Sequence, residues 1–455
     1  MTPSARLSAA IALLDEILDR KRPLGPALAD WGKANRYAGS GDRNAIGNLV
    51  HDTLRVKASA QWIMGLRGDT EASSSEVDPG SRKEDASKKE SGRAALLGML
   101  RLLRGMEVEA IAALFTGERF APAPLTEAER LSLQAADLSD APAHIRGNYP
   151  EWLDEELAKS FGETRVAEAS ALASRAPVDA RVNALKLIRL KAMEALGHLE
   201  PEVTSLSPYG LRFKPNAEGR APYIQAEPAF IKGAVEIQDE GSQLASLLAG
   251  AKPGMQVLDF CAGGGGKTLA MAAEMNNKGQ IFATDNDARR LAPIHERITR
   301  AGVRNVQVRT PKGKEPAKLN DLVGKCDLVL VDAPCTGAGT WRRHPDAKWR
   351  LRPNALEMRC DEQRTVLAEA KSYVKPGGRL VYITCSLLDA ENGAQVKAFL
   401  AANPDFSVVD PAANAKAAGL EGIGQHRDAS GIGLLLSPHR TDTDGFFISV
   451  FTRST

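Results

Sequence analysis

The sequence is short of most of the residues that announce chemistry or location. Its five cysteines, Cys261, Cys326, Cys335, Cys360 and Cys385, form no CxxC pair and no CxxC…HxxxH arrangement. An odd thiol count without a secretory leader argues against a disulfide framework and a structural zinc, and for a reducing compartment. No metal is therefore expected. No apolar run approaches about 18 residues, the length that crosses a bilayer, and Asp15, Glu16 and Asp19 interrupt the first turns with acid, as neither a secretory h-region nor a transit peptide does. A cytoplasmic protein without a membrane partner is expected. Charge of one sign is also lacking: the formal net charge is only +2, so a nucleic-acid partner must be held by local basic patches.

What the chain does have is length, 455 residues, enough for two or three domains. It is organised around Val257–Thr268, VLDFCAGGGGKT. An apolar run ending in Asp259 meets a glycine-rich turn that leads into a helical pattern, which is how a nucleotide-binding α/β unit begins. Spacing excludes two common versions. A Walker loop needs Gly where Cys261 stands, and a dinucleotide fingerprint starting at Gly263 needs a small residue where Thr268 stands. The remaining reading is a loop whose backbone passes close to a small nucleoside ligand.

Residues 1–140 read as helices only. Leu7, Ile11, Leu14 and Leu18 share one face; Ile46, Leu49, Val50 and Leu54 repeat the pattern after a candidate Asp42 cap; Leu96, Leu97, Leu100, Leu103, Ile111, Leu114 and Phe115 continue it. A Ser-, Lys-, Glu- and Asp-rich insertion at 69–92 has too little apolar surface to order itself and is expected to be disordered. Residues 141–250 read as a small connecting α+β module, with a helix over 148–163 and strand-like pieces around Val182, Gly210–Phe213 and Ala234–Ile237. From 251 to 455 strand and helix alternate, with candidate strands at 255–260, 280–284, 305–309, 326–332 and 379–385. A mostly parallel, doubly wound sheet is expected.

Ligands of such sheets bind at the carboxyl ends of the strands. There the sequence places Asp259 and the glycine turn, then Asp285 at the spacing of a ribose-binding acid, then Asp332-Ala333-Pro334-Cys335, then Thr384-Cys385-Ser386. Two thiols at two strand exits are open to a catalytic or a structural reading. Cys326 and Cys360 read as core or surface residues.

DFCAGGGGKT, VDAPCTGAGTWRRHPDAKW and YITCSLLDAEN resemble the cofactor loop, Pro-Cys motif and Thr-Cys motif of the Sun family of RNA cytosine-C5 methyltransferases. The helical segment containing GDRNAIGNLVHDTLR resembles the NusB-like domain carried by the bacterial 16S ribosomal RNA methyltransferase B branch, and ARVNALK, VEIQDEGSQLASLL and DGFFISVFTR resemble further family segments. The resemblance implies a Rossmann-like, S-adenosylmethionine-dependent catalytic domain behind an all-α NusB-like RNA-binding domain. It implies Cys385 as nucleophile toward carbon 6 of cytosine, Cys335 as the group that assists release, and Asp332 as an acid/base group beside the base, with Lys267 orienting the base or favouring the thiolate. It also implies cofactor contacts from Cys261, Ala262, Gly263, Gly264, Gly265, Gly266 and Lys267, together with Asp285 and Asp332. Small-subunit ribosomal RNA is the implied partner, and no obligate protein partner is evident.

Two departures from the family pattern stand out. Gly263-Gly264 replace the usual Ala-Pro, so a less preorganised loop is expected. Strand three runs into Arg309-Thr310-Pro311-Lys312 rather than an acidic residue, which leaves the adenine side unassigned. The segment Trp341 to Arg350, WRRHPDAKWR, interleaves cations and indoles and is expected to meet RNA; Arg36, Arg43 and Arg55 are a second candidate RNA surface. The competing readings are a tRNA cytosine-C5 methyltransferase and an antitermination-like RNA-binding factor on a non-catalytic methyltransferase scaffold.

Overall fold

A computed structural model of the chain describes residues 1–66, 91–216, 219, 221–313 and 315–455. The chain divides into two compact units. The insertion expected at 69–92 lies outside the described residues except for Ser91 and Gly92, which open a helix.

The first unit comprises Met1–Glu155, Glu163–Ser174 and Trp341–Leu351. Its helices bury the faces that the apolar spacing marks: Leu7, Leu14, Ile46, Val50, Leu96 and Leu100 share one core. Leu103 falls outside that face, because the helix Gly92–Leu102 ends before it, and it is exposed. Asp42 does not cap its helix. Gly39 holds that position, and Asp42 sits in the first turn of Ser40–Arg55, where it pairs with Arg6 at 2.8 Å.

Residues 341–351 belong to this unit, and several of their polar side chains bond within it. Trp349 Nε1 donates to the Leu54 carbonyl at 2.7 Å, Lys348 Nζ to the Arg55 carbonyl at 3.0 Å, and Asp346 accepts from the Leu24 amide at 3.1 Å. Trp341, Arg342 and Lys348 are 2%, 1% and 1% exposed. Burial, with Arg55 and Lys57 adding, pushes the Lys348 ammonium well below its usual range. The expectation that these three side chains meet RNA is therefore corrected: alternating cations and indoles fit an aromatic-lined helix groove as well as a nucleic acid, and here the groove has them. Arg55 is likewise buried, donating to the Ser174 and Arg342 carbonyls at 2.7 Å, and Arg43 donates to the Ala38 carbonyl. Arg36 and Arg43 are exposed, and of the three candidate arginines only Arg55 is buried.

The second unit comprises Glu156–Gly162, Arg175–Thr340 and Arg352–Thr455. It contains two sheets. The smaller is antiparallel, ordered β2-β3-β1-β4, with β1 Val178–Val182, β2 Glu202–Val203, β3 Gly210–Phe213 and β4 Val235–Ile237. Three of these strands coincide with the strand-like pieces of the sequence; β2 has only two residues and no periodicity to reveal it.

The larger sheet has β5 Gln256–Asp259, β6 Gln280–Ala283, β7 Val306–Val308, β8 Cys326–Asp332, β9 Val374–Thr384, β10 Phe406–Val408, β11 Leu434–Leu436 and β12 Phe446–Arg453. Its order is β10-β12-β9-β8-β5-β6-β7, with β11 also on β12. β5 to β9 are mutually parallel, while β12 is antiparallel to β9, β10 and β11. Strand order runs outward from β5 through β6 to β7, then restarts on the other side of β5 with β8 and β9. The reversal lies between β5 and β8, the place where such sheets open a ligand crevice at their carboxyl ends. Val257, Leu269, Met271, Ile281, Leu328 and Val381 lie in the core that holds sheet and helices together. Among the described residues no helix is long and apolar enough to cross a membrane.

One close approach in the helical unit is testable. A Cβ on Gly98 would stand well inside contact distance of the Ala60 carbonyl oxygen, between the helices Gly92–Leu102 and Lys57–Ile63. Gly98→Ala is expected to destabilise this unit by about 1–3 kcal/mol through overpacking, read as a lowered thermal midpoint of its transition.

Candidate active site

The glycine turn after β5 is shaped by contacts beyond its own residues. Gly263 has φ +50°, and its amide donates to Asp285 Oδ2 at 3.0 Å. The Gly264 carbonyl accepts from Arg297 Nη1 at 2.6 Å, and Arg297 in turn pairs with the buried Glu236 at 3.1 Å. Gly265 has φ +82° immediately before the helix Gly266–Glu274, and a Cβ there would stand 2.8 Å from Ile294 Cδ1. The loss of proline from this loop is thus offset by two long-range ties, which corrects the expectation of weak preorganisation: the restraint comes from Asp285 and Arg297, not from the loop's own φ angles.

Asp285 is 4% exposed and caps the turn after β6, accepting from the Asp287 amide at 3.0 Å as well as from Gly263. Beside it opens a cleft lined by Phe260, Cys261, Asp285, Asp332 and Pro334, and closed on the β7 side by Pro316, Ala317 and Leu319. The segment after β7 therefore offers apolar surface where an acidic residue was the family expectation. Arg309 points its guanidinium elsewhere, to Asp321 at 2.8 Å and over the Phe282 ring.

Lys267 opens the helix after the turn and is 8% exposed, so it is not a solvated helix-start lysine. Its Nζ donates to Asp332 Oδ2 at 2.6 Å and lies 5.2 Å from the centroid of the Phe446 ring. Burial alone would lower the Lys267 pKa, but Asp332, with smaller contributions from Cys385 and Asp259, outweighs it and the net shift is upward. Asp259 is fully buried, takes the Thr268 hydroxyl at 2.6 Å, and its other oxygen has no hydrogen-bond partner. Burial pushes its carboxyl up to about 7; the Thr268 bond opposes this and Asp332 adds to it. Burial and the carboxylates around it, Asp285 first, hold the Cys261 thiol well above its ordinary range, so Cys261 is a neutral cleft wall.

The Pro-Cys turn follows β8 and the Thr-Cys turn follows β9, and since β8 pairs β9 in parallel register both emerge on one side of the sheet. Cys335 Sγ and Cys385 Sγ are 3.3 Å apart. The Gly339 amide donates to the Cys385 carbonyl at 2.9 Å, and Gly339 itself packs against Gly445 so closely that a Cβ would collide with the Gly445 carbonyl. The Cys385 sulfur and burial hold the Cys335 thiol well above its ordinary range, with Glu391 adding to the shift. Cys326 and Cys360 are buried and outside this cluster. Among the described residues no group of three or more His, Cys, Asp or Glu side chains is arranged to hold a metal.

Every residue singled out from the sequence for cofactor or catalysis thus surrounds the carboxyl ends of β5, β6, β8 and β9. What the sequence did not single out is Asp259 as a protonatable group, Arg297 as a tie on the loop, and Glu391 beneath the two cysteine turns. The first follows from burial and the other two from contacts across 33 and 55 residues, which no local spacing reveals.

The profile of a family described as 16S rRNA methyltransferase RsmB/F matches residues 246–452. The chain is 32% identical to the ribosomal RNA small subunit methyltransferase B of Sodalis glossinidius over 330 residues, 71% of this chain and 70% of that one. It is 33% identical over 271 residues to the enzyme of the same name from an Escherichia coli strain, 58% of this chain and 60% of that one. Among solved structures, a methyltransferase homolog protein from Pyrococcus horikoshii superimposes with a TM-score of 0.55 at 26% identity, covering 68% of this chain and 97% of that one. The cofactor is S-adenosylmethionine. The make-up of the cleft is compatible with it: the Asp285 carboxylate and the apolar Phe260, Pro316 and Leu319 line the cleft, and the glycine turn carries no side chains to hold a ligand off.

Two outcomes test this geometry. Gly265→Ala should weaken S-adenosylmethionine binding at least about tenfold by calorimetry, because the strained φ and the Ile294 contact displace the turn. For Asp259, the folded-state value lies above the ordinary carboxylate value, so the folded chain holds a proton that the unfolded chain releases. The stabilising contribution is whole below about pH 4 and is lost as pH rises through about 7. Asp259→Asn keeps the Thr268 bond and cannot ionise. Its stability relative to wild type should therefore rise with pH across that window, by up to about 1.4 kcal/mol per pH unit, and level off above it in thermal melts.

Proposed function

We propose that this chain, which belongs to the 16S rRNA methyltransferase RsmB/F family, methylates carbon 5 of a cytosine in RNA, with small-subunit ribosomal RNA as the substrate. The observation that carries the reading is the pair of thiols 3.3 Å apart at the ends of β8 and β9, beside the Lys267–Asp332 ion pair. The chain spans 70% and 60% of the two curated relatives above, and their names concern those proteins.

Carbon 5 of cytosine is a weak nucleophile, and a thiolate added to carbon 6 makes it a strong one. S-adenosylmethionine, held along the glycine turn, supplies the methyl group. Of two sulfurs this close, only one is easily ionised, since a second negative charge beside the first is disfavoured. The upward shift at Cys335 keeps that thiol neutral and leaves Cys385 as the sulfur that reacts. Cys385 is thus the nucleophile: its sulfur forms a bond to carbon 6 as the C5=C6 double bond opens and the ring nitrogen takes a proton. Asp332 stands at the end of β8 to hold that proton on the base. Carbon 5 takes the methyl group as the sulfonium S–CH3 bond breaks; its proton then leaves to solvent, the C5=C6 double bond re-forms, the C6–S bond breaks and the ring nitrogen gives back its proton, while the Cys335 thiol stabilises the departing Cys385 sulfur by hydrogen bonding.

The test incubates wild type, Cys335→Ala and Cys385→Ala with S-adenosylmethionine and labelled small-subunit ribosomal RNA or tRNA, followed by a denaturing gel and nucleoside analysis. Cys335→Ala should accumulate an RNA adduct that survives denaturation, and Cys385→Ala should neither crosslink nor methylate, with a loss of at least about a thousandfold. Methylation of carbon 5 by Cys385→Ala would overturn the nucleophile assignment. Methylation of tRNA instead would move the substrate, and no methylation of either RNA by wild type would favour the scaffold reading.

A further inference from the structure

Glu391 takes no part in that chemistry, yet its side chain is fully buried next to both cysteine turns. Its Oε1 accepts from the Thr336 amide at 2.8 Å and from Gln363 Nε2 at 3.0 Å, and its Oε2 accepts from the Thr336 hydroxyl at 2.5 Å. The Ser386 hydroxyl stands 3.5 Å from the Thr336 hydroxyl. Thr336 is the residue after Cys335, and Ser386 is the residue after Cys385. The carboxylate therefore grips the first turn directly and meets the second through the Thr336 hydroxyl.

The surrounding bonds repeat the pattern. Gln363 also donates to the Pro334 carbonyl at 3.0 Å, gripping the residue before Cys335. The Glu391 carbonyl accepts from Tyr382 of β9 at 2.6 Å, and the next residue, Asn392, joins the Thr384 hydroxyl at 2.5 Å to the Ser386 carbonyl at 3.0 Å, bracketing Cys385. Burying a carboxylate is unfavourable unless donors surround it. A site whose only need was to fill space would hold an apolar side chain, whereas a carboxylate with three donors fixes directions as well as volume.

We propose that Glu391 is a positioning residue: by holding Thr336, whose hydroxyl meets that of Ser386, it sets the separation and orientation of the Cys335 and Cys385 thiols. This rests on the reading of those thiols as the reacting pair. Burial pushes the Glu391 carboxyl up and the hydrogen bonds pull it back; in its ionised form it also opposes ionisation of Cys335, which keeps that thiol protonated while Cys385 reacts.

The experiment compares wild type with Glu391→Gln, Thr336→Val and Thr336→Ser. The amide of Glu391→Gln turns a donor toward donors, Thr336→Val removes one donor at constant shape, and Thr336→Ser keeps both donors. The first readout needs neither RNA nor cofactor: capture of the dithiol by phenylarsine oxide, which bridges two sulfurs only when they can approach together. The others are kcat and KM for methylation and the Kd for S-adenosylmethionine. Glu391→Gln and Thr336→Val should each lower arsenical affinity and kcat at least about tenfold with KM and Kd within about twofold, and Thr336→Ser should match wild type. Unchanged capture in either of the first two overturns the proposal, as does equal loss of capture and cofactor affinity, which marks a general packing role. If Glu391→Gln fails to fold, Thr336→Val and Thr336→Ser decide the question. If capture responds as expected but wild type methylates no RNA, the positioning role stands and the proposed function falls.

Discussion

The parallel pairing of β5 with β8 is the constraint on which the site depends. These strands are 67 residues apart from the start of β8 back to the end of β5, and strand order reverses between them. The reversal leaves no helix crossing the sheet edge at their carboxyl ends, so a crevice opens there. Asp259 and Asp332 stand at its two sides, and Lys267, which starts the helix after β5, reaches Asp332 because the two strand ends are neighbours. Adding β9 beside β8 in the same direction brings the second cysteine turn alongside the first. Had β9 run antiparallel, Cys385 would lie at the opposite end of the sheet.

Around that crevice charge is concentrated at low exposure. Asp259, Asp285 and Asp332 surround one ammonium, Lys267, and the imbalance is settled differently at each position. Asp332 holds the lysine directly. Asp285 is satisfied by backbone amides. Asp259, with a hydroxyl on one oxygen and nothing on the other, is the group for which burial dominates. Buried charges are tolerated only when paired or hydrogen-bonded.

The helical unit shows how composition alone misleads. WRRHPDAKWR has the residue types of a nucleic-acid surface, yet Trp341, Arg342 and Lys348 lie in the interior of that unit and spend their donors on backbone carbonyls. Long cationic side chains carry apolar stems and indoles carry a single donor, so both suit a helix groove with unpaired carbonyls at its edge.

By itself the sequence determined everything that depends on local spacing: the helical faces of Leu7, Ile46 and Leu96, the strand-turn-helix at Val257–Thr268, and the placement of Asp285, Cys335 and Cys385 at strand exits. Strand ends shifted by one to five residues, as at β9, which begins at Val374 rather than 379, because hydrogen bonding to a neighbour extends a strand past its apolar run. Only the tertiary structure decided which of those residues meet. The Lys267–Asp332 pair spans 65 residues, the Glu391–Thr336 bonds 55, and the strap on Leu54 and Arg55 nearly 300. Period and spacing encode which face of an element is apolar; they carry no information about which distant element that face will find.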